Sequence, residues 1–206
     1  MKLYGFSRSS AAFRVRIALN FKGIKWEDIK ISLPDGEQFG DPYLKINSQA
    51  RVPTLVDKGV NFYQSMAIIE YLEETCQEPR LLPTDPIARA RVRGISNIIA
   101  CDIHPLNNLA VLKFLSKEMQ QDKQQVNVQW YHHWIKEGLK SVEEHLANDK
   151  DTGRFAHGEQ PTLADVCIVP QIFNAQRYDC DLSPYPVLMG VFERAMLLPS
   201  FEQAQP

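Results

Sequence analysis

Two adjacent hydroxyl side chains, Ser9 and Ser10, stand between a strand-like run at residues 2–6 and a helical pattern that begins at Ala11. Serine at such a junction caps a helix, because its oxygen accepts a hydrogen bond from a first-turn N–H group. The same position stabilises an anion such as a thiolate, since the helix dipole is positive there. On these residues alone, a capped helix is the simpler interpretation.

The elements around this junction predict a βαβ–ββα unit of the thioredoxin-like type. A second strand-like run covers 26–31, and two runs within 54–63 are joined by turn residues, which predicts a hairpin. Ser65 is predicted as the N-cap of the closing helix. Pro53 begins the first hairpin strand because it has no N–H group for the ladder, and frequency alone predicts a trans Val52–Pro53 bond.

The second half of the chain shows helical spacing almost to its end. The proline-rich segment 76–86 marks the boundary, so the predicted domains are 1–80 and 86–206. Amphipathic helices are predicted over 88–103 and 130–146. The predicted fold class is therefore an α/β thioredoxin-like N-terminal domain followed by an all-α C-terminal domain.

Three local features of the predicted helical domain lead to further predictions. Residues 120–125 are predicted to form a polar hinge between helices. Thr162 and Asp165 have the spacing of a capping box, which begins a later helix. Pro170 is expected to kink that helix or to shift its start, because proline lacks an N–H group and crowds the preceding turn.

Composition is typical of an ordinary cytoplasmic enzyme. The 206 residues carry a net charge of −2, so no basic surface predicts nucleic acid or an anionic membrane as a partner. No apolar run approaches the roughly 20 residues of a membrane span, and no secretory signal precedes the first strand. We therefore expect the protein to begin at or near Met1 and to lie in the cytoplasm.

Cysteine and histidine spacing predicts no metal site. The four cysteines lack a Cys-x-x-Cys pair, and the five histidines form no pair with metal-ligand spacing. Cys101 and Cys167 lie within apolar helical patterns, so both are predicted to be small core residues.

Five segments together carry a resemblance to a known family. They are Ser9–Leu19, Val52–Leu55, Gln64–Glu73, Asp102–Asn108 and Pro161–Asp165. In this order they resemble the zeta class of the glutathione-transferase superfamily, the family of maleylacetoacetate isomerases, and the likeness covers nearly the whole chain. The sequence departs from that family at Ala11 and Phe13, where cysteine and tryptophan are usual. Because glutathione brings its own sulfur, this departure bears on binding mode and substrate preference more than on activity.

The resemblance implies a glutathione site built from both halves of the chain. Ser9 would donate directly to the thiol, with Ser10 beside it as a second catalytic hydroxyl. The γ-glutamyl end would be held by Gln64 and Ser65, and the cysteinyl amide by the backbone of Val52 next to a cis Pro53. The remaining implied contacts come from Gln38, at the glycyl end, and from His104 and Asn108, which the spacing places on one helix face.

The resemblance also implies the reaction and its substrate. Glutathione thiolate would add to the cis double bond of maleylacetoacetate and leave after bond rotation, giving fumarylacetoacetate in tyrosine and phenylalanine catabolism. This diketo acid is a dianion, and Arg8 and Arg177 match family positions that hold its carboxylates, with Arg8 also catalytic. Arg14 and Arg16 are predicted to be structural ion-pair partners.

Other functions remain open on the sequence. Maleylpyruvate isomerisation differs only in the residues at the substrate end, where Leu109 and Ala110 favour the longer substrate. A general glutathione transferase acting on α-halo acids is a second alternative. A non-enzymatic glutathione-transferase-like binding protein is a third, against which the joint presence of Ser9, Ser10, Gln64 and Ser65 argues. The resemblance implies a homodimer.

Overall fold

All 206 residues are described by a computed structural model, in which the chain forms two compact units. Unit 1 consists of Met1–Leu81 together with Leu197–Pro206, and unit 2 consists of Leu82–Met196. The predicted second domain included the last ten residues, which instead pack with unit 1. Arg16 and Asn20 bind them through the carbonyls of Ala204 (2.8 Å) and Ser200 (3.2 Å).

Unit 1 contains a four-stranded mixed sheet, which confirms the predicted thioredoxin-like organisation. Its strands are β1 (Lys2–Gly5), β2 (Glu27–Lys30), β3 (Thr54–Asp57) and β4 (Val60–Tyr63). They lie in the order β2-β1-β3-β4, with β1 parallel to β2 and antiparallel to β3. The predicted hairpin is β3–β4, and its turn residues Lys58 and Gly59 both have positive φ (49° and 79°), as a tight hairpin turn requires.

Helices make up the rest of the chain. In unit 1 they are α1 (Ser10–Phe21), α2 (Asp41–Leu44), α3 (Ser65–Thr75) and α10 (Pro199–Glu202). Unit 2 is all helical, as predicted, with α4 (Pro86–Asn97), α5 (Leu109–Lys113), α6 (Lys123–Gln125), α7 (His132–Ala147), α8 (Leu163–Arg177) and α9 (Pro186–Met196). Wider π-helical turns extend α4 through Ile103 and α5 through Glu118, and join α6 to α7.

Two predictions for unit 2 need correction, and a third is narrowed. Cys101 is exposed rather than buried, because it lies two residues from both Ile99 and Ile103 and so faces away from the core they occupy. The polar hinge is shorter than predicted, since Asp122 is the N-cap of α6 and accepts hydrogen bonds from the N–H groups of Gln124 and Gln125. Pro170 lies inside α8, which begins at Leu163, so of the two stated alternatives the shifted start is excluded.

The predicted capping box at the start of α8 is confirmed, and its carboxylate is completely buried. Asp165 accepts hydrogen bonds from the N–H groups of Ala156 (2.8 Å) and Thr162 (2.7 Å) and from the Thr162 hydroxyl (2.9 Å). Burial raises the pKa of Asp165 to about 6, against the lowering effect of these donors. The folded protein therefore holds a proton on this carboxyl at pH values where the unfolded chain has released it.

Replacing Asp165 with asparagine is expected to remove a component of the pH dependence of stability. Protonation of Asp165 stabilises the folded protein below about pH 4, and this stabilisation is lost as pH rises to about 6. The resulting change in the free energy of unfolding is about 3 kcal/mol. Urea unfolding of both proteins from pH 4 to pH 7 measures the difference. Parallel stability curves for the two proteins would contradict a raised pKa of this carboxyl.

Candidate functional site

The register of the sheet brings the loops that carry the predicted glutathione residues to one edge. Tyr4 pairs with Thr54, and Thr54 pairs with Tyr63, so β1 and β4 end where β3 begins. β2 ends at the same edge, since Lys30 pairs with Gly5. The segments that follow β1, β2 and β4 at this edge contain Ser9, Gln38 and Gln64–Ser65, and the segment that leads into β3 contains Val52–Pro53.

Ser9 is the N-cap of α1, as the sequence predicts. Its Oγ accepts a hydrogen bond from the N–H of Ala12 (3.2 Å), and Ser10 is the first, buried residue of the helix. Since the Ser9 oxygen acts as an acceptor in the cap, its own proton is left to donate. The half-buried hydroxyl therefore combines a donor with the positive end of a helix dipole, which is the arrangement that stabilises a thiolate.

Ser65 is not the N-cap of α3, contrary to the prediction. It is the first helical residue, and Gln64 occupies the cap position with φ of 70°, a strained conformation for a non-glycine residue. The Ser65 Oγ instead accepts a hydrogen bond from Nη1 of Arg14 (3.4 Å), whose side chain is buried beneath it. Gln64 donates to the side chain of Gln49 (2.8 Å). Strain at Gln64 is typical of a ligand-binding segment, where the surrounding structure imposes it.

The Val52–Pro53 bond is cis, so the expectation drawn from frequency was wrong and that drawn from the family resemblance is met. Tyr43 and Asn47 hold the segment on both sides, since each forms hydrogen bonds to the carbonyl of Arg51 (2.6 and 2.9 Å) and to the hydroxyl of Thr54 (3.0 and 3.1 Å). None of the backbone hydrogen bonds involves Val52 itself. Its N–H and carbonyl thus remain available for antiparallel pairing with a peptide ligand.

Gln38 lies in a 3₁₀ turn at Glu37–Phe39 and is buried, although on its own the sequence suggests a solvated loop residue. Its Oε1 is completely enclosed and has no hydrogen-bond partner within the protein. An unpartnered buried acceptor costs about 1–3 kcal/mol. This orphaned oxygen fits a site that receives the amide or amine donors of a peptide such as glutathione.

Replacing Gln38 with methionine is expected to raise KM for glutathione about 5- to 20-fold, because a bound donor would lose its acceptor. The same change is expected to leave the urea midpoint unchanged or higher, since it removes an unpartnered polar atom at nearly constant volume. Steady-state kinetics with varied glutathione and urea unfolding test both parts. A fall in stability with unchanged KM would show that Gln38 serves the fold alone.

His104 and Asn108 do not lie on one helix face, contrary to the prediction. The π-helical extension of α4 ends at Ile103, because Pro105 has no N–H group with which to continue it. Asn108 is the N-cap of α5 and accepts a hydrogen bond from the N–H of Ala110 (2.9 Å). The turn between them is held within unit 2 by Trp130, whose Nε1 donates to the carbonyl of Leu106 (2.8 Å).

The two arginines assigned to the substrate are both exposed. Arg8 lies over the ring of Phe6 at 5.4 Å, and Arg177 donates to Asn174 at the end of α8 (3.3 Å). Neither is committed to an ion pair with a carboxylate of the protein. Both guanidinium groups therefore remain available to a carboxylate ligand.

Several supporting residues were not assigned a role in the site by the sequence. Arg14 was predicted to be structural, and its position within the apolar run Phe13–Val15 is the one signal that it is buried. Arg16 is structural as predicted, but its acceptors are the backbone carbonyls of Ser7 and Ala204 rather than a carboxylate. No local pattern indicates the hydrogen bonds of Tyr43 and Asn47, because their acceptors lie beyond the next turn.

Comparisons with known proteins identify the family to which this chain belongs. The family model for the N-terminal domain of glutathione S-transferases matches residues 1–74. A maleylacetoacetate isomerase of Pseudomonas aeruginosa is 44% identical over 100% of this chain and 96% of its own. A holo structure of maleylpyruvate isomerase, a zeta-class bacterial glutathione S-transferase, superposes with a TM-score of 0.98 at 42% identity over 100% and 97% of the two chains.

A second solved structure is similar to this chain and contains ligands. It is a maleylacetoacetate isomerase of Methylobacterium extorquens with bound malonate and glutathione, at a TM-score of 0.97 and 38% identity over 100% of this chain and 96% of that one.

Proposed function

Because the chain belongs to the zeta class of the glutathione transferases, the maleylacetoacetate isomerase family, we propose that it isomerises maleylacetoacetate to fumarylacetoacetate with glutathione as its cofactor. The observation that carries this proposal is a set of groups with unused hydrogen-bonding capacity at one edge of the sheet: the Ser9 hydroxyl, the unpaired backbone of Val52 and the enclosed, unpartnered oxygen of Gln38. We assign most of the glutathione contacts to unit 1, and we assign to unit 2 the selection of the substrate, to which Arg8 of unit 1 also contributes.

Bound glutathione supplies a thiolate that adds to the cis double bond and is expelled after rotation about the resulting single bond. The reference pKa of a thiol is near 8.5, so lowering it by about two units requires about 2.7 kcal/mol of preferential thiolate stabilisation. Ser9 supplies the direct hydroxyl donor, Ser10 is the second hydroxyl beside it, and the N-terminus of α1 adds the positive end of the helix dipole. Together these groups match that requirement.

The ends of the peptide are held by the other residues of the site. Gln64 and Ser65 bind the γ-glutamyl end at the N-terminus of α3, Val52 pairs with the cysteinyl amide, and Gln38 reaches the glycyl end. We also propose His104 and Asn108 as glutathione contacts, on the basis of the family resemblance alone. Hydrogen bonds to charged groups contribute about 1.5–3 kcal/mol each, so the carboxylate contacts dominate the affinity.

Arg8 and Arg177 bind the two carboxylates of the substrate. Arginine suits this role because its guanidinium is planar, always charged and able to donate two parallel hydrogen bonds. Arg8 directly precedes Ser9. It is therefore also the group that stabilises negative charge developing on the substrate beside the sulfur.

The proposed assembly is a homodimer in the cytoplasm. Among the exposed large apolar side chains of unit 1 are Phe39, Val60 and Tyr63, and burying them supports association with a second copy. A cytoplasmic location is supported by the use of glutathione as a free thiol, which a reducing compartment maintains. No helix of the protein is long and apolar enough to cross a membrane.

Maleylpyruvate isomerisation is the second candidate, and the similarity to a maleylpyruvate isomerase favours it. Leu109, at the start of α5 and half-exposed, supports the longer substrate, because no extra cation stands there to bind a smaller diacid.

Turnover with sub-stoichiometric glutathione tests the proposal. The ultraviolet absorbance of maleylacetoacetate and of maleylpyruvate is followed separately, and many turnovers per glutathione on the longer substrate are expected. Turnover on maleylpyruvate alone would select the second candidate. Consumption of glutathione with an α-halo acid, without isomerisation, would identify a general transferase, and glutathione binding without any reaction would identify a binding protein.

A further inference from the structure

Gly138 lies in the middle of α7, where this helix packs directly against the π-helical extension of α4. Any Cβ atom at position 138 would lie 2.2 Å from Cγ1 and 2.3 Å from Cδ1 of Ile103. Because carbon atoms in contact stay about 3.5–4.0 Å apart, a larger residue fits there only if Ile103 moves. Ile103 is only 1% exposed, and the close packing of a protein core leaves it little room to do so.

Ile103 is the last residue of this extension and joins it to the turn at residues 104–108. The N–H of His104 donates to the carbonyl of Ile99 (2.9 Å), which closes the final π-helical hydrogen bond. The carbonyl of Ile103 accepts a hydrogen bond from the N–H of Asn107 (3.2 Å), inside the turn. A displacement of Ile103 is therefore passed to the turn through its own backbone. Short π-helical turns of this kind are frequent at functional sites.

The segment that leads into α7 holds the same turn at two other points. Trp130 donates from Nε1 to the carbonyl of Leu106 (2.8 Å), and the carbonyl of Tyr131 accepts a hydrogen bond from Nδ2 of Asn107 (3.5 Å). Trp130 and Tyr131 end the π-helical segment that continues directly into α7. The turn is thus attached to one continuous helical segment, and the closeness of that attachment depends on Gly138.

We propose that Gly138 is a positioning residue for glutathione binding. Its missing side chain sets the distance between α7 and Ile103, and this distance determines where the 104–108 turn places His104 and Asn108. The inference rests on the proposed function, in which these two residues contact glutathione. Glycine in a helix interior is less stable than alanine, so local propensity does not favour it here, whereas the close approach of Ile103 requires it.

Calorimetric titration of the full-length protein with glutathione tests this role. Gly138→Ala is expected to raise Kd about 3- to 10-fold, which corresponds to the loss of about one hydrogen bond. KM for glutathione is expected to rise by the same factor while kcat for isomerisation stays nearly unchanged, because binding rather than chemistry is impaired. A purely structural defect would instead reduce the amount of folded enzyme, and so kcat, and would leave Kd and KM as in the wild type.

Two further variants provide the control and the rescue. Gly94→Ala is the matched control, because Gly94 lies on α4 and a Cβ there would meet nothing within 4 Å outside its own helix. It is expected to leave Kd unchanged and to gain stability from helix propensity. Ile103→Ala removes both clashing carbon atoms and leaves only its Cβ, which would lie 3.6 Å away. In that background Gly138→Ala is expected to have no further effect on Kd.

The outcomes that overturn the inference are distinct from failure of the proposed function. A wild-type Kd for Gly138→Ala, or equal effects of this change with and without Ile103→Ala, would remove Gly138 from glutathione binding. If Gly138→Ala fails to fold, Ile103→Leu decides, since it reshapes the same contact at constant volume and is expected to raise Kd. An unchanged Kd for that variant would also overturn the inference. A wild-type protein that does not bind glutathione would overturn the proposed function, and this inference with it.

Discussion

Replacing Ser9 with alanine is expected to lower kcat/KM for isomerisation about 100- to 1,000-fold, because a donor that stabilises the reacting anion contributes about 2.7–4 kcal/mol. The hydroxyl that caps α1 keeps its own proton to donate to sulfur, because its oxygen is the acceptor in the cap. Without it the pKa of bound glutathione is expected to return toward 8.5. Kinetics from pH 6 to pH 9 measure both effects, and the alanine variant is expected to gain activity as pH rises.

Control variants separate the chemistry of Ser9 from its structural role. Loss of the cap itself costs about 1 kcal/mol. Asp85→Ala removes an equivalent cap from α4, where Asp85 accepts a hydrogen bond from the N–H of Ala88 (2.8 Å), and is expected to leave kcat/KM unchanged. Ser9→Thr keeps a hydroxyl and is expected to retain more activity than Ser9→Ala. An alanine variant with wild-type kcat/KM at pH 7 would remove Ser9 from the mechanism.

Replacing Glu73 with glutamine is expected to destabilise the protein by about 3–5 kcal/mol, because it leaves a buried ammonium without its counter-charge. The side chain of Lys22 is fully buried and bonds to Glu73 (2.7 Å) and to the carbonyls of Cys76 (2.6 Å) and Pro79 (2.9 Å). Glu73 in turn accepts hydrogen bonds from the N–H of Leu81 (3.0 and 3.2 Å). This cluster ties α1 to the segment that ends unit 1, and urea unfolding measures its loss.

An exposed ion pair in the same unit provides the comparison. Glu27 pairs with Lys2 at 3.4 Å, but both side chains are more than half exposed, so Glu27→Gln is expected to change stability by less than about 1 kcal/mol. The double variant Lys22→Met/Glu73→Gln is expected to lose less than the sum of its single changes, since no unpaired charge remains. Equal effects of Glu73→Gln and Glu27→Gln would show that burial does not strengthen the Lys22–Glu73 pair.

The sequence by itself determined the features that depend on neighbours along the chain. The strand-like runs within 54–63 and the turn residues Lys58 and Gly59 between them predict the hairpin. The cap at Ser9 and the capping box at Asp165 close within three residues, so each is complete in a short segment. The family resemblance was also visible in the sequence, because its motifs are contiguous runs of side chains.

Only the tertiary structure decided the features whose partners are distant in sequence. Ser65 leaves its predicted cap role because its hydroxyl binds Arg14, 51 residues away. The last ten residues join unit 1 because Arg16 binds the carbonyl of Ala204, 188 residues away. Likewise, the burial of Gln38 depends on packing around its turn. Local propensity carries no information on such contacts, since the free energy that selects them comes from burial and hydrogen bonding between segments that meet only in the folded chain.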